Sequence, residues 1–402
     1  MIQSGPDNRI TKITLLAVST LTVMAVATIA PALPAMRAAF AEVPNVDLIV
    51  RLVLTIPGLF IVMGAPVAGV IVDKYGRKRL LVVSTVLYGV AGSSGFVFDS
   101  LTGLLIGRAL LGIAVAGIMI SVTTLIADYY QGQARAKFMG MQAAFMNLGG
   151  VLFTAAGGFL ADVTWQTPFL IYLIALVMVP FAMVALFEPK RQAVAQDDGA
   201  TDQAGSGFPF NRLVIVYITA FIMMTVFMMM AIQLPFLLEV VAGASATQSG
   251  LALSGGIVFS IPPSLLYARI RTHLEIPTIV AIGFGLFGVG YAVIGFADGF
   301  GQMFAGAAVA GIGLGLLMPT FNIWLVERTP ARYLGRAFGL LTTFIFFGQF
   351  VSPFVTQPLS QQVGLGMSFT VVGVAMLAIG MGYFIGGRLI PAMLSTARMQ
   401  QR

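Results

Sequence analysis

Charge is scarce in this chain, so the places where it gathers are the places to look for chemistry. Only 9% of its 402 residues are Asp, Glu, Lys or Arg, against 58% hydrophobic. Yet the stretch Gly69-Val70-Ile71-Val72-Asp73-Lys74-Tyr75-Gly76-Arg77-Lys78 sets five ionisable groups between two long apolar runs. The chemistry available there is ionic rather than covalent: one acid and several bases that can make and break pairs. Gly69 would let a neighbouring helix approach closely, Asp73 would end a helix as an anion, and Gly76 would allow a sharp reversal. Asp128 and Arg135 recur around a second loop on the same side and complete a candidate charge cluster with Asp73 and Arg77. Arg108 is isolated about two turns inside an apolar run, in Gly107-Arg108-Ala109-Leu110-Leu111-Gly112. A cation there costs at least a few kcal/mol, so it faces a polar cavity or a partner, or else snorkels to the interface. The sequence displays no nucleophile with a base and no phosphate-cradling glycine loop, which argues against an enzyme and against a bound cofactor. With a single histidine, His273, and no cysteine, neither a metal site nor a disulfide is expected, and His273 reads as a solvated loop residue.

The elements that carry these residues are apolar and long. Mean hydropathy is +0.96, which leaves too little polar surface for a soluble globule of this size. About twelve runs are long enough to cross some 30 Å of hydrocarbon: 14–36, 49–72, 79–98, 102–124, 138–160, 165–187, 213–237, 248–267, 276–297, 302–325, 336–358 and 365–387. Each is continuously apolar instead of alternating, so they are helices, not barrel strands. The first run has full spanning length and no clear cleavage site, so it is expected to stay. The formal net charge of +7 does not point to nucleic acid, because of where it falls. All of the 22 Lys and Arg except Arg37, Arg51 and Arg108 lie on one side of these spans. By the positive-inside rule that side, with both termini, is cytoplasmic.

The chain divides into residues 1–190, a polar linker 191–211 rich in Asp, Gly and Ser, and residues 212–402. The parts on either side of the linker echo one another at an offset of 199 residues, with Asp128 matching Glu327 and Gly140 matching Gly339. The second copy of the charged loop, Tyr267-Ala268-Arg269-Ile270-Arg271-Thr272-His273, keeps its bases and loses the acid and the turn.

The pattern Gly-x-x-x-Asp-Lys-x-Gly-Arg-Lys at 69–78 resembles, at every signature position, the loop between the second and third helices of the major facilitator superfamily of secondary transporters. The resemblance implies an all-α integral membrane protein with two pseudo-symmetric six-helix bundles around a central cavity. It implies a conformational gate built from Gly69, Asp73, Gly76, Arg77, Asp128 and Arg135, which holds the halves together on the cytoplasmic side in one state and releases them in the other. The Arg108 pattern resembles a second family signature associated with proton coupling. Gly140, Gly149, Gly157 and Gly158 keep four of six positions of the glycine-rich pattern of drug and metabolite antiporters, Phe153 and Thr154 replacing the other two; packing alone also explains the glycines. Ala30-Pro31-Ala32-Leu33-Pro34-Ala35-Met36 is similar to the first helix of drug:proton antiporters.

The implied function is export of small lipophilic or amphiphilic molecules, with protons as counter-ion, by a monomer in the plasma membrane lipid bilayer. An uncoupled facilitator, an uptake carrier or a translocator of lipid-like amphiphiles fits the same residues. Proton coupling normally uses a buried carboxylate, and no Asp or Glu falls at mid-depth, so Asp47 and Glu239 acting with Arg108 are the candidate carriers. Candidate cavity residues are Gln142, Asn147, Tyr217, Met224, Gln233, Asn322, Phe346 and Gln349. They offer a few hydrogen bonds among adaptable thioethers and aromatic rings.

Overall fold

The computed structural model describes residues 8–189 and 208–399, so most of the linker expected at 191–211 lies outside the described residues. Among the described residues, twelve helices are long and apolar enough to span a membrane. They are α1 (Arg9–Ala39), α2 (Val46–Tyr75), α3 (Arg77–Phe96), α4 (Leu101–Tyr129), α5 (Gly132–Ala161), α6 (Thr167–Ala185), α7 (Phe210–Ala242), α8 (Ala246–Arg271), α9 (Ile276–Gly295), α10 (Phe300–Arg328), α11 (Leu334–Val363) and α12, whose spanning part is Leu365–Gly387. Several run past the apolar stretches at both ends, because polar residues continue a helix once it has left the hydrocarbon.

Local chemistry sets the ends. Asn8 accepts from the Ile10 N–H to begin α1, and Ser100 accepts from the Gly103 N–H at 3.2 Å to begin α4. Pro31, which has no N–H to donate, opens a 3₁₀ turn at Ala30–Ala32 that interrupts α1. Between α2 and α3 the chain reverses at Gly76, whose φ of +99° suits glycine. A second constraint holds there. A Cβ on Gly76 would sit 2.8 Å from the Glu188 carboxylate, which accepts from the backbone N–H groups of Arg77 at 2.7 Å and Lys78 at 2.8 Å. Glu188, just beyond α6, thereby caps α3.

The packing pattern is itself a repeat. In the first half α2 packs on α4, α3 on α4, α3 on α6 and α1 on α5; in the second α8 packs on α10, α9 on α10, α9 on α12 and α7 on α11. Adding six to each helix number turns one set into the other. The two main seams between the halves, α5 with α8 and α11 with α2, also exchange under that rule. Tyrosines in equivalent helices fasten each half: Tyr88 of α3 donates to the Leu21 carbonyl of α1 at 2.7 Å, and Tyr291 of α9 to the Val226 carbonyl of α7 at 2.5 Å.

Candidate functional site

Both seams are closed at one end of the bundle and open at the other. On α2, Gly58 and Gly69 are eleven residues apart, about three turns, and so share a face. A Cβ on Gly58 would lie 2.8 Å from the Phe346 carbonyl of α11, whereas one on Gly69 meets nothing within 4 Å. On α5, Gly158 and Gly140 are eighteen residues apart, about five turns, again on one face. A Cβ on Gly158 would lie 2.5 Å from the Ala246 carbonyl of α8, and one on Gly140 meets nothing within 4 Å. Gly339 of α11 is equally open. The close approach expected at Gly69 is therefore absent in this arrangement, because α2 and α11 have diverged by that depth. The open end is the one that carries the basic loops.

The closed end is held by hydrogen bonds that cross from one half to the other. Arg51 of α2, 3% exposed, donates through Nε (3.3 Å) and a terminal nitrogen (3.1 Å) to the Gln233 side-chain oxygen of α7, and its guanidinium lies 4.2 Å from the Phe236 ring centre. Gln233 in turn donates towards Gln357 and Ser360 of α11 at 3.3 and 3.4 Å. In its own half Arg51 keeps the Asp47 carbonyl at 2.6 Å and its carboxylate at 3.6 Å. On the other seam Asp162, just past α5, accepts from the Ala246 N–H (2.8 Å), the Thr247 N–H (3.2 Å) and the Thr247 hydroxyl (2.5 Å) at the start of α8. Partial desolvation works to raise the Asp162 pKa, but the bonds from Thr247, Ala246 and Ser245 outweigh it and hold the carboxyl below its usual range.

At the open end charges pair inside each half. Arg77 lies 3.0 Å from Asp128, and in the second half Arg271 lies 2.9 Å from Glu327. The eroded second loop has thus kept an equivalent ion pair. Asp73 is exposed at the end of α2, and Arg135 is exposed at the start of α5.

Midway between the ends, residues of both halves enclose a cavity of about 330 Å³. Its wall includes Met119, Met146, Met224, Met228, Met230 and Met318, the rings of Phe227 and Phe346, and the polar side chains Thr22, Thr154 and Gln349. Of the residues expected there from the sequence, Met224, Phe346 and Gln349 line it. The others sit elsewhere. Gln142 donates to the Ser19 hydroxyl at 3.1 Å, and Asn147 is half-buried away from the cavity wall. Tyr217 is sealed inside the second half, bonded to the Ala337 carbonyl and stacked on Phe344 with ring centres 5.3 Å apart. Gln233 belongs to the closed end, and Asn322 is exposed with its amide on the Met318 carbonyl. Phe347 and Phe354 point outward, as residues on other faces of α11 must.

The ionisable candidates are also relocated. Arg108 neither reaches the cavity wall nor snorkels: it is 1% exposed, bonded to the Tyr172 hydroxyl at 2.9 Å, with ring centres of Phe169 and Tyr172 at 4.6 and 4.7 Å. One of its terminal nitrogens has no partner among the described residues. Asp47 is paired with Arg37 and Arg51, and Glu239 is exposed near the closed end of α7. Reasoning from sequence missed Arg51 and Asp162 as residues between the halves, and Glu188 as a cap. Arg51 carried the same signal as Arg108, a cation within an apolar run.

A family model described as Major Facilitator Superfamily matches residues 15–353 and 216–397. Quinolone resistance protein NorA of Staphylococcus aureus is 25% identical over 298 residues, which cover 72% of this chain and 75% of that protein. Multidrug resistance protein 1 of Bacillus subtilis is 30% identical over 212 residues, covering 51% and 53% of the two chains. Among solved structures, a bacterial homolog of the human lysosomal transporter Spinster, inward-facing and occupied, superposes with a TM-score of 0.76 at 14% identity over 94% of this chain and 96% of its own. A variant of nucleoside transporter NupG gives 0.77 at 11% identity over 93% and 99%. These likenesses fix the fold, which is that of carriers and not of enzymes. The family match across nearly the whole chain, on two six-helix halves closed at one end around a shared cavity, makes this multi-pass membrane protein a member of the major facilitator superfamily.

Proposed function

We propose that the chain exports small lipophilic molecules across the plasma membrane by alternating access, with the basic loops and both termini in the cytoplasm and protons as counter-ion. The observation that carries this reading is the pair of seams, closed beside Arg51 and Asp162 and open beside Gly69 and Gly140, around a largely apolar cavity to which both halves contribute. On the positive-inside rule the open end faces the cytoplasm, so this is the state that loads an exporter. The glycines left bare at that end are the surfaces that would meet when the basic end closes. Asp73, Gly76, Arg77, Asp128 and Arg135 flank that closure and act as its gate. The likeness to a quinolone resistance protein of Staphylococcus aureus and a multidrug resistance protein of Bacillus subtilis supports drug-like cargo.

A second reading, facilitated movement without protons, is favoured by one observation: among the described residues no Asp or Glu borders the cavity. One experiment separates the two. Purified protein in liposomes is given a fluorescent lipophilic probe with and without an imposed pH gradient. Accumulation driven by the gradient, lost in Asp73→Asn, is the expected result. Equilibration indifferent to the gradient would establish the facilitator, and no protein-dependent movement would refute transport of this cargo.

A further inference from the structure

A recess of about 750 Å³ lies at the basic ends of α3 and α6 and shares no wall residue with the central cavity. Much of its charge is already matched. Glu188 is spent on the backbone N–H groups of Arg77 and Lys78, and Arg77 is met by Asp128 at 3.0 Å. What remains on the wall is three cations, Lys74, Lys78 and Arg79, against Asp73. Lys78 donates to the Met183 carbonyl at 2.7 Å, which orients its ammonium and leaves the charge uncancelled. The Lys74 ammonium lies 5.4 Å from the ring centre of the exposed Tyr75, and Arg79 is exposed and pairs with no acid among the described residues.

A solvated basic loop would show as much. What distinguishes this recess is the surface that continues from it. Val83 of α3 and Met183 of α6 close its wall, and both are exposed. On α3, Arg79, Val83, Val86 and Val90 are all exposed at spacings of four, three and four, so they share one face. That stripe begins on a cation and continues apolar for about 16 Å. Val177, Phe181 and Val184 of α6, exposed at spacings of four and three, make a second stripe. The two helices pack along each other, with Leu176 against Gly89 near one end and Lys78 on Met183 near the other, so both stripes lead to the same recess. Apolar side chains exposed on spanning helices face hydrocarbon, and a tyrosine beside the cations marks the level of the headgroups.

We propose that this recess binds a phospholipid with an anionic headgroup, its phosphate held by Lys74, Lys78 and Arg79 and its acyl chains laid on the α3 and α6 stripes, in the leaflet that meets the basic loops. A free anion would use the cations and leave the stripes idle; a lipid uses both. Each lysine or arginine that meets an anionic headgroup contributes about fivefold in affinity. The site adjoins the gate loop, yet Lys74 and Arg79 can be changed without touching Asp73, Arg77 or Asp128.

Native mass spectrometry of the full chain, released from detergent micelles, tests this with dioleoyl phosphatidylglycerol and dioleoyl phosphatidylcholine, which share their chains and differ in headgroup. The wild type should bind its first phosphatidylglycerol about thirtyfold more tightly than its first phosphatidylcholine, and the double variant Lys74→Gln, Arg79→Gln should lose that preference, as removal of two such cations predicts. Arg269→Gln with Arg336→Gln removes the same charge from exposed positions at the same end but off this recess, and should change phosphatidylglycerol binding by less than about twofold, since separated surface charges are screened. Phosphatidylcholine binding, retained in both variants, reports an intact chain in the same sample. Equal affinity of the wild type for the two lipids would overturn the proposal whatever the folding of the variants. So would equal losses in the two double variants, which would mean a general attraction to the basic face. Glycerophosphoglycerol, the same headgroup without chains, should not displace phosphatidylglycerol at equal concentration; displacement would make this a site for soluble anions and overturn the lipid.

Discussion

The two ends of the bundle hold their charges in opposite ways. At the closed end the two charged groups that bridge the halves land on neutral partners: Arg51 on the Gln233 side chain, Asp162 on two backbone N–H groups and a hydroxyl. At the open end the ion pairs stay at home, Arg77 with Asp128 and Arg271 with Glu327. The contrast shows how a seam can be both firm and reversible. A charge bound to a neutral group loses little when water replaces that group, and Arg51 retains Asp47 in its own half throughout. Separating two buried opposite charges would be far more costly.

Substitutions at paired positions can break this contrast. The largest effect is expected from Gly158→Leu, because the Ala246 carbonyl already occupies the space a side chain needs. Overpacking of about 2 kcal/mol should force the closed end apart by roughly thirtyfold in population and stop transport. Spin-label distances across α5 and α8 that remain short would refute it. Gly140→Leu is its counterpart. Space is open around it here, so closed-end distances should match wild type while transport falls at least tenfold, the basic end being unable to close. Normal transport in that variant would mean that the α5 and α8 faces never meet there.

Smaller effects refine the comparison. Asp162→Asn keeps the shape and removes the anion facing the start of α8, which should cost about 1 kcal/mol and shift the closed-end distances about fivefold towards open. The sign of the pH effect follows from the lowered pKa of Asp162. Its contribution is complete above the ordinary carboxylate range, near 4, and is lost only as pH falls through its own lower value. Closed-end distances should therefore be flat from pH 8 to 5; an opening in that window that vanishes in Asp162→Asn would contradict the assignment. The smallest change is expected from Arg271→Ala. Its pair with Glu327 is a third to a half exposed, so the thermal midpoint should move by the equivalent of at most about 0.5 kcal/mol. A much larger fall would show that the open-end pairs bear more than their own halves.

Most of the fold was legible because each helix announces itself locally. Spanning length, charge asymmetry and the 199-residue echo of Asp128 in Glu327 need no knowledge of tertiary structure. What the sequence could not disclose is which faces meet. Asp162 reads as an ordinary acid at a helix end, since its partner, the start of α8, is some eighty residues away and is recruited only when α5 and α8 cross. Tyr217 and Gln233 both looked like polar groups awaiting a substrate, yet the first faces Phe344 inside its own half and the second faces Arg51. Depth along a helix was readable, and rotation about its axis was not. Arg108 illustrates both. Its depth was right, but its direction is set by Phe169 and Tyr172, which lie on an aromatic-rich helix that also reads as generic membrane span. At the position equivalent to Arg108 in the second half, Ala307 is fully buried, so the repeat does not extend to this cation.

The thioether wall has a consequence for life under oxidants. The chain has 22 methionines and no thiol, so reversible oxidative modification falls on sulfur atoms such as the six around the cavity. Conversion of one of them to a sulfoxide installs a strong acceptor and a chiral dipole in a space otherwise starved of polarity. An oxidised chain would keep its helices, its seams and its place in the bilayer, and its cavity would recognise a different set of molecules until a reductase restored the thioether.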